Sequence, residues 1–420
     1  MEVKTQSTKY IIPSKSTPEN LRSYKLSRLD QISPPSYTKQ IYYYKPSGDV
    51  SISGICGHLV MSLSEVLTLF YPLAGRLTKD GLEVDCSDQG VKYIETKVST
   101  RLDDFLELGP TIDQVKRLIS IPDPGATTLV TVQVNIFDCG ALVIGVSASH
   151  KVTDAYSLVR FINQWACINR TGCSDDAFSP SFDKMVTLFP PEVVPSIVQI
   201  PVSNPQSKMV SKRYMFSGTI LSKLRAKAGS PDCKHSRVTL VTAVIWKALI
   251  GVDKLNCGSV RNYIMSPAIN LRGKVGLEIT ESSFGNVWVP YAIRYLQNEM
   301  EPNFVNLVRL IEDTNRDFIM ELPKASSEEI CAQAIACYDE VEEEIKQNKS
   351  PIITSWCRFP IYNADFGWGN PYWVSEGGRS RDMVTLMDDK NGDGIEAWVD
   401  LKEKDMYKFE KDEDITELAS

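Results

Sequence analysis

The chain has 420 residues, a formal net charge of −7, 43% hydrophobic and 24% charged residues. Such a balance supplies the core of an ordinary globular protein whose length suits about three domains or, equally, two of about 200 residues, and the missing basic excess argues against non-specific nucleic-acid binding. With no uninterrupted apolar run of about 18 residues and no apolar stretch near Met1, neither a membrane span nor a signal peptide is expected. The expected compartment is the cytosol, and there the ten cysteines read as small buried apolar residues, without a CxxC pair to hold a metal.

In chain order, His58 to Phe70 places Leu59, Leu63, Val66, Leu67 and Phe70 on one face of a helix that Pro72 and Gly75 stop. Leu82–Cys86 and Val91–Val98 flank the polar Ser87-Asp-Gln-Gly90, which predicts a hairpin. A second strand pair, Leu129–Ile136 and Ala141–Ala148, is joined through Phe137-Asp-Cys-Gly140. A helix should then run from Ala155 to about Ile168, since Tyr156, Leu158, Val159, Ile162 and Trp165 recur at helical spacing.

Between Phe189 and Val210 the periodicity lapses and prolines gather at 190, 191, 195, 201 and 205. This predicts a domain over 1–189, a crossover over 190–210 and a second domain over 211–420. The second half opens with a strand at Lys212–Phe216 and a helix over Arg237–Ile250, in which Val238, Val241, Ile245 and Leu249 share a face. An acidic helical stretch near Glu340–Lys346 reads as a solvated face. Asp389 to Asp400 nearly fits a calcium loop, but strands at Met383–Met387 and Ile395–Val399 make an Asn-Gly hairpin the better reading.

Only three histidines are present, His58, His150 and His235. His150 alone follows a strongly apolar run, Ala141 to Ser149, and so stands at a strand-to-helix corner where an imidazole can act as a general base. Asp154 lies four residues on; the corner falls between the two, so triad geometry is not dictated. Taken alone, an HxxxD pattern more often marks a core histidine held by its hydrogen bonds.

A second motif changes the balance. His150-Lys-Val-Thr-Asp154 followed far downstream by Asp365-Phe-Gly-Trp-Gly369 resembles the plant BAHD acyltransferase family, over essentially the whole chain. Leu26-Ser-Arg-Leu-Asp30, Tyr71-Pro-Leu-Ala-Gly-Arg76, Asn270-Leu-Arg272 and Ser355-Trp-Cys-Arg358 support the resemblance. It implies a two-domain α/β protein, each half built like a chloramphenicol acetyltransferase subunit of mixed sheet and helices, with a channel between them. The co-substrate would be an acyl-CoA, nearest to acetyl-CoA in the branch that acetylates alkaloids and related metabolites, and the acceptor a small-molecule alcohol. No metal or permanently bound cofactor, no membrane and a monomeric state are expected.

In the mechanism that the resemblance implies, His150 takes the acceptor's hydroxyl proton as its oxygen attacks the thioester, with no acyl-enzyme. Asp154 would pair with Arg272 in a structural role. Asp365 is a candidate second acid/base residue, although its setting with Gly369 suits a tight turn. Trp368 offers either an indole N–H to the oxyanion or a core aromatic. Ser236 and Arg237, at a helix start, offer the CoA phosphates a hydroxyl, a guanidinium and free N–H groups, or else form an ordinary cap. Ala155, Asn370 and Gly273-Lys-Val275 depart from the family pattern. Another acyl donor, an amine acceptor and an inactive ligand-binding relative remain as alternatives.

Overall fold

The computed structural model describes residues 1–46, 51–122, 127–173, 178–192, 208–229, 235–274, 276, 278–347, 349, 352–378 and 381–418. Two compact units are present, one comprising Met1–Ile197, Ile279–Val287 and Phe359–Gly378, the other Val198–Glu278, Trp288–Arg358 and Arg379–Ser420. The expected second domain over 211–420 is therefore not one unit, because two of its segments, including Asp365 to Gly369, belong to the first. Backbone pairing explains the transfer: Trp373–Glu376 adds an antiparallel edge strand to Tyr37–Tyr44. Most of the expected crossover, with Pro195, Pro201 and Pro205, lies outside the described residues.

The first unit is built on a six-stranded sheet in the order Val3–Ile11, Val91–Val98, Val130–Phe137, Leu142–Ser149, Tyr37–Tyr44, Trp373–Glu376. Only the second and third strands pair in parallel. Every residue of Leu142–Ser149 is buried, which is why that segment reads as a continuous apolar run rather than an alternation. The expected second hairpin forms, Val130 opposing Ala148 and Ile136 opposing Leu142.

The expected first hairpin does not. Glu83–Asp85 pairs with Ser23–Lys25 and Arg76–Leu77 in a small separate sheet, whereas Val91–Val98 joins the large one. Asp88 and Gly90, both at positive φ, redirect the chain between the sheets. Alternation identifies a strand and its inner face; it does not name the strand's partner.

Two long helices complete this unit, Ile52–Leu69 and Ala155–Thr171, and they pack on each other. Trp165 is fully buried and its indole N–H donates to the Leu59 carbonyl and the Ser62 hydroxyl. Ile52–Leu69 is long and apolar enough to cross a membrane by those criteria, yet its Leu59, Leu63, Val66 and Leu67 are wholly enclosed in the core.

The second unit holds a seven-stranded mixed sheet in the order Trp288–Pro290, Tyr263–Asn270, Ile352–Ser355, Met383–Asp388, Ile395–Lys402, Met209–Phe216, with Ile293–Tyr295 also on Tyr263–Asn270. Helix Arg237–Cys257 supplies Leu240, Val244, Trp246 and Leu249 to its core. It outruns the expected end at Ile250 and stops at Gly258, whose φ of 85° suits the left-handed cap. The acidic helix is Ser327–Lys346; one of its carboxylates, Glu344, is buried against the Lys349 ammonium at 2.9 Å instead of facing solvent. Met383–Asp388 and Ile395–Lys402 form the expected hairpin, closed by Asp389 Oδ1, which accepts from the Gly392 and Gly394 amides.

Candidate active site

His150 follows the last residue of the buried strand Leu142–Ser149, and its own N–H donates to the Ser36 carbonyl at 2.8 Å. Five residues later the helix Ala155–Thr171 begins, so strand and helix together hold the imidazole at a fixed corner. The ring nitrogen Nδ1 lies 2.9 Å from Asn286 Oδ1. Asn286 Nδ2 in turn lies 2.8 Å from Asp30 Oδ1 and 2.7 Å from the His150 carbonyl.

That arrangement decides the tautomer. Two acceptors face Nδ2, so it must be the amide nitrogen; Oδ1 then faces the ring, and His150 Nδ1 must be the donor. The lone pair of the neutral ring consequently sits on Nε2, the nitrogen a general base needs.

Asp30 anchors this chain of hydrogen bonds. It is fully buried and accepts from the backbone and hydroxyl of Ser27 on Oδ2, and from the backbone and side-chain amides of Asn286 on Oδ1. Burial pushes its carboxyl upward, while the hydrogen bonds from Ser27 and Asn286 hold it back. Lys151, also buried, donates to the Gln31 carbonyl at 2.7 Å. Burial lowers its ammonium to about 8, against an opposing pull from Asp30. Gly285, at φ +111°, keeps this region open: a Cβ there would stand 3.2 Å from Asp30 Oδ1.

Asp154 does different work. It is the N-cap of the long helix, Oδ1 accepting from the Ser157 amide at 2.7 Å and Oδ2 from the Val287 amide at 3.0 Å. Its acceptor oxygens thus tie the helix start to the Gly285–Val287 segment. Arg272 belongs to the second unit, just past strand Tyr263–Asn270, where it is buried and donates from N and Nη1 to Asn270 Oδ1.

The Asp365–Gly369 motif lies at the other end of the same helix. Asp365 Oδ1 accepts from the Gly367 and Gly369 amides, both at 2.8 Å, and Oδ2 sits 4.0 Å from Arg170 in the helix's last turn. Gly367 and Gly369 have φ of 107° and 97°, a region closed to other residues without strain. Asn169 donates to the Phe366 carbonyl at 2.7 Å.

Arg170 is nearly the whole helix away from Ala155, about 22 Å at 1.5 Å per residue. The sheet gives the same measure. Phe366 and Trp368 pack edge-on against Tyr44, which opposes Leu142, while Ser149 opposes Tyr37 at the strand's far end, about 23 Å away at the strand rise. Asp365 is therefore no acid/base partner for His150, which corrects the expected catalytic assignment. Trp368 is likewise too far to serve an oxyanion at that histidine; it stacks on Phe366 with ring centroids 5.6 Å apart, as a structural aromatic.

Ser236 caps helix Arg237–Cys257, its hydroxyl accepting from the Thr239 amide at 3.0 Å. The Arg237 guanidinium donates to Asp388 Oδ1 at 2.9 Å and to the Gly392 and Gly394 carbonyls. Ser236 is thus a helix cap, and the arginine holds the hairpin. Sequence reasoning missed Asn286, Asp30 and Lys151. Asp30 and Lys151 stood inside motifs already noted, whereas Asn286 carried no signal of its own.

These features define an acyltransferase. Residues 1–416 match the model of the Transferase family, and the chain belongs to that family, the BAHD acyltransferases. A limonoid 21-O-acetyltransferase of Melia azedarach is 33% identical, covering 100% of this chain and 99% of that one. Vinorine synthase of Rauvolfia serpentina is 32% identical over 95% of this chain and 94% of its own. The crystal structure of vinorine synthase superposes with a TM-score of 0.83 at 29% identity, covering 97% of this chain and 96% of that one. The overall fold is thus the two-domain one that the motifs led us to expect.

Proposed function

We propose that this enzyme transfers an acetyl group from acetyl-CoA to a hydroxyl of a plant specialised metabolite, with His150 as general base. The single observation that carries the mechanism is the fixed tautomer at His150, with Nδ1–H held by Asn286 and the lone pair on Nε2. In the proposed step Nε2 accepts the alcohol proton while the oxygen attacks the thioester carbonyl. The tetrahedral intermediate collapses, the C–S bond breaks, and the imidazolium returns the proton to the departing CoA thiolate.

The donor and acceptor classes rest on relatives. A limonoid acetyltransferase and stemmadenine O-acetyltransferase of Catharanthus roseus are among them. A second donor reading has its own support: a Salvia splendens relative, 33% identical over 99% of this chain, is named a malonyltransferase. A monomer in the cytosol completes the proposal.

The test is a mass-spectrometric screen of purified protein with acetyl-CoA or malonyl-CoA against triterpenoid and alkaloid alcohols. An acetyl ester that appears only with active protein supports the reading, and a malonyl ester would transfer it to the second donor. Free CoA released without any acylated product would mean hydrolysis instead.

A further inference from the structure

Asp154 caps its helix, Oδ1 accepting from the Ser157 amide and Oδ2 from the Val287 amide. The carboxylate linked to the His150 ring through Asn286, Asp30, comes from 120 residues upstream. Three of its four hydrogen bonds come from N–H groups, which donate and cannot accept: Ser27 N, Asn286 N and Asn286 Nδ2. Such a set favours the ionised acid. We propose that Asp30, acting through Asn286, is the positioning carboxylate of His150. The inference rests on His150 being the base of the proposed reaction.

The chemistry is that of a third group in a relay. Asp30 orients the Asn286 amide; the amide oxygen receives the Nδ1 proton and holds the ring in one tautomer. When Nε2 takes up the acceptor's proton, the buried negative charge behind the amide stabilises the imidazolium. No proton leaves Asn286 and no covalent bond to it forms. The titratable groups that face Asp30 are Lys151 and, from strand Ser23–Lys25, Tyr24. Tyr24 is pushed well above its ordinary value, first by burial and then by Asp30, so it does not titrate alongside the histidine.

A purely local role for Asp30 also exists, since it forms a capping box with Ser27 on the short helix Arg28–Ile32. The test must therefore read something that a cap does not move. With only three histidines in the chain, nitrogen-labelled imidazole spectra of the full protein can be assigned by comparison with His150→Ala. The native ring is expected in the Nδ1–H form. In Asp30→Asn the tautomers should mix and the ring should titrate at lower pH; the acid limb of kcat/KM should move down with it, and kcat should fall by at least about ten-fold, within the reach of general-base effects, at little-changed KM for acetyl-CoA.

Asn286→Ala, which leaves Asp30 in place, should reproduce the loss of the tautomer and covers the case in which Asp30→Asn does not fold. A native Nε2–H ring, or an unchanged tautomer and titration in either folded variant, overturns the proposal. Because the spectra need no turnover, a protein that passes them yet acylates nothing would contradict the proposed function and leave the relay standing.

Discussion

The two ends of helix Ala155–Thr171 carry the two motifs that first drew attention to this chain, and they are built for different work. At the N-terminal end, Asn286 meets the imidazole and is itself held by Asp30, buried polar side chains from two distant segments. At the C-terminal end, a carboxylate faces two glycine amides and an arginine, under a stack of aromatic rings. Motifs that occur together in a sequence need not be halves of one reacting centre; here one helix length separates the proposed base from a glycine turn.

The largest effect that would sharpen this contrast is on turnover. His150→Gln keeps a side chain able to reach Asn286 but supplies no base, and steady-state assays should show a loss of roughly 10²–10⁴-fold with an unchanged melting midpoint. Asp154→Ala should act on stability instead. It removes an N-cap and a hydrogen bond from Val287 to a buried carboxylate, together about 3 kcal/mol, readable as a lower urea midpoint.

Asp365→Ala leaves the Gly367 and Gly369 amides without their acceptor and should cost about 1–3 kcal/mol, with kcat within a few-fold of the parent. The smallest expected effect lies at Lys151. A lysine whose folded value is depressed to about 8 binds fewer protons folded than unfolded between there and its ordinary value near 10.4. Its burden on stability is therefore fully present below pH 8 and fades as pH rises through that window. The urea stability of the parent relative to Lys151→Met should drift upward in the parent's favour from pH 8 to 10; a flat difference would show that Lys151 is not buried as described.

Much of the histidine corner was legible because its signals are local: an unbroken apolar run means a strand buried on both faces, and a helical spacing begins just after it. Its support was not legible, since Asn286 lies 136 residues from His150 and side-chain hydrogen bonds across such separations leave no periodicity. The failed first hairpin has the same cause, strand identity being local and strand pairing not. The catalytic candidacy of Asp365 has a subtler origin. Residue types suited to catalysis are equally suited to closing a glycine turn, and only the length of an intervening helix distinguishes the two. Ser236 was readable as a cap from its position, while the partner of Arg237, Asp388, lay too far along the chain to be foreseen.

The most direct test of the central claim is a side-by-side measurement of kcat/KM for acetyl transfer by His150→Ala and Asp365→Ala, each checked for folding, on an alcohol the parent accepts. The account predicts a loss of at least about 100-fold for the histidine variant and less than about ten-fold for the aspartate variant. Equal losses, or full activity without His150, would contradict it.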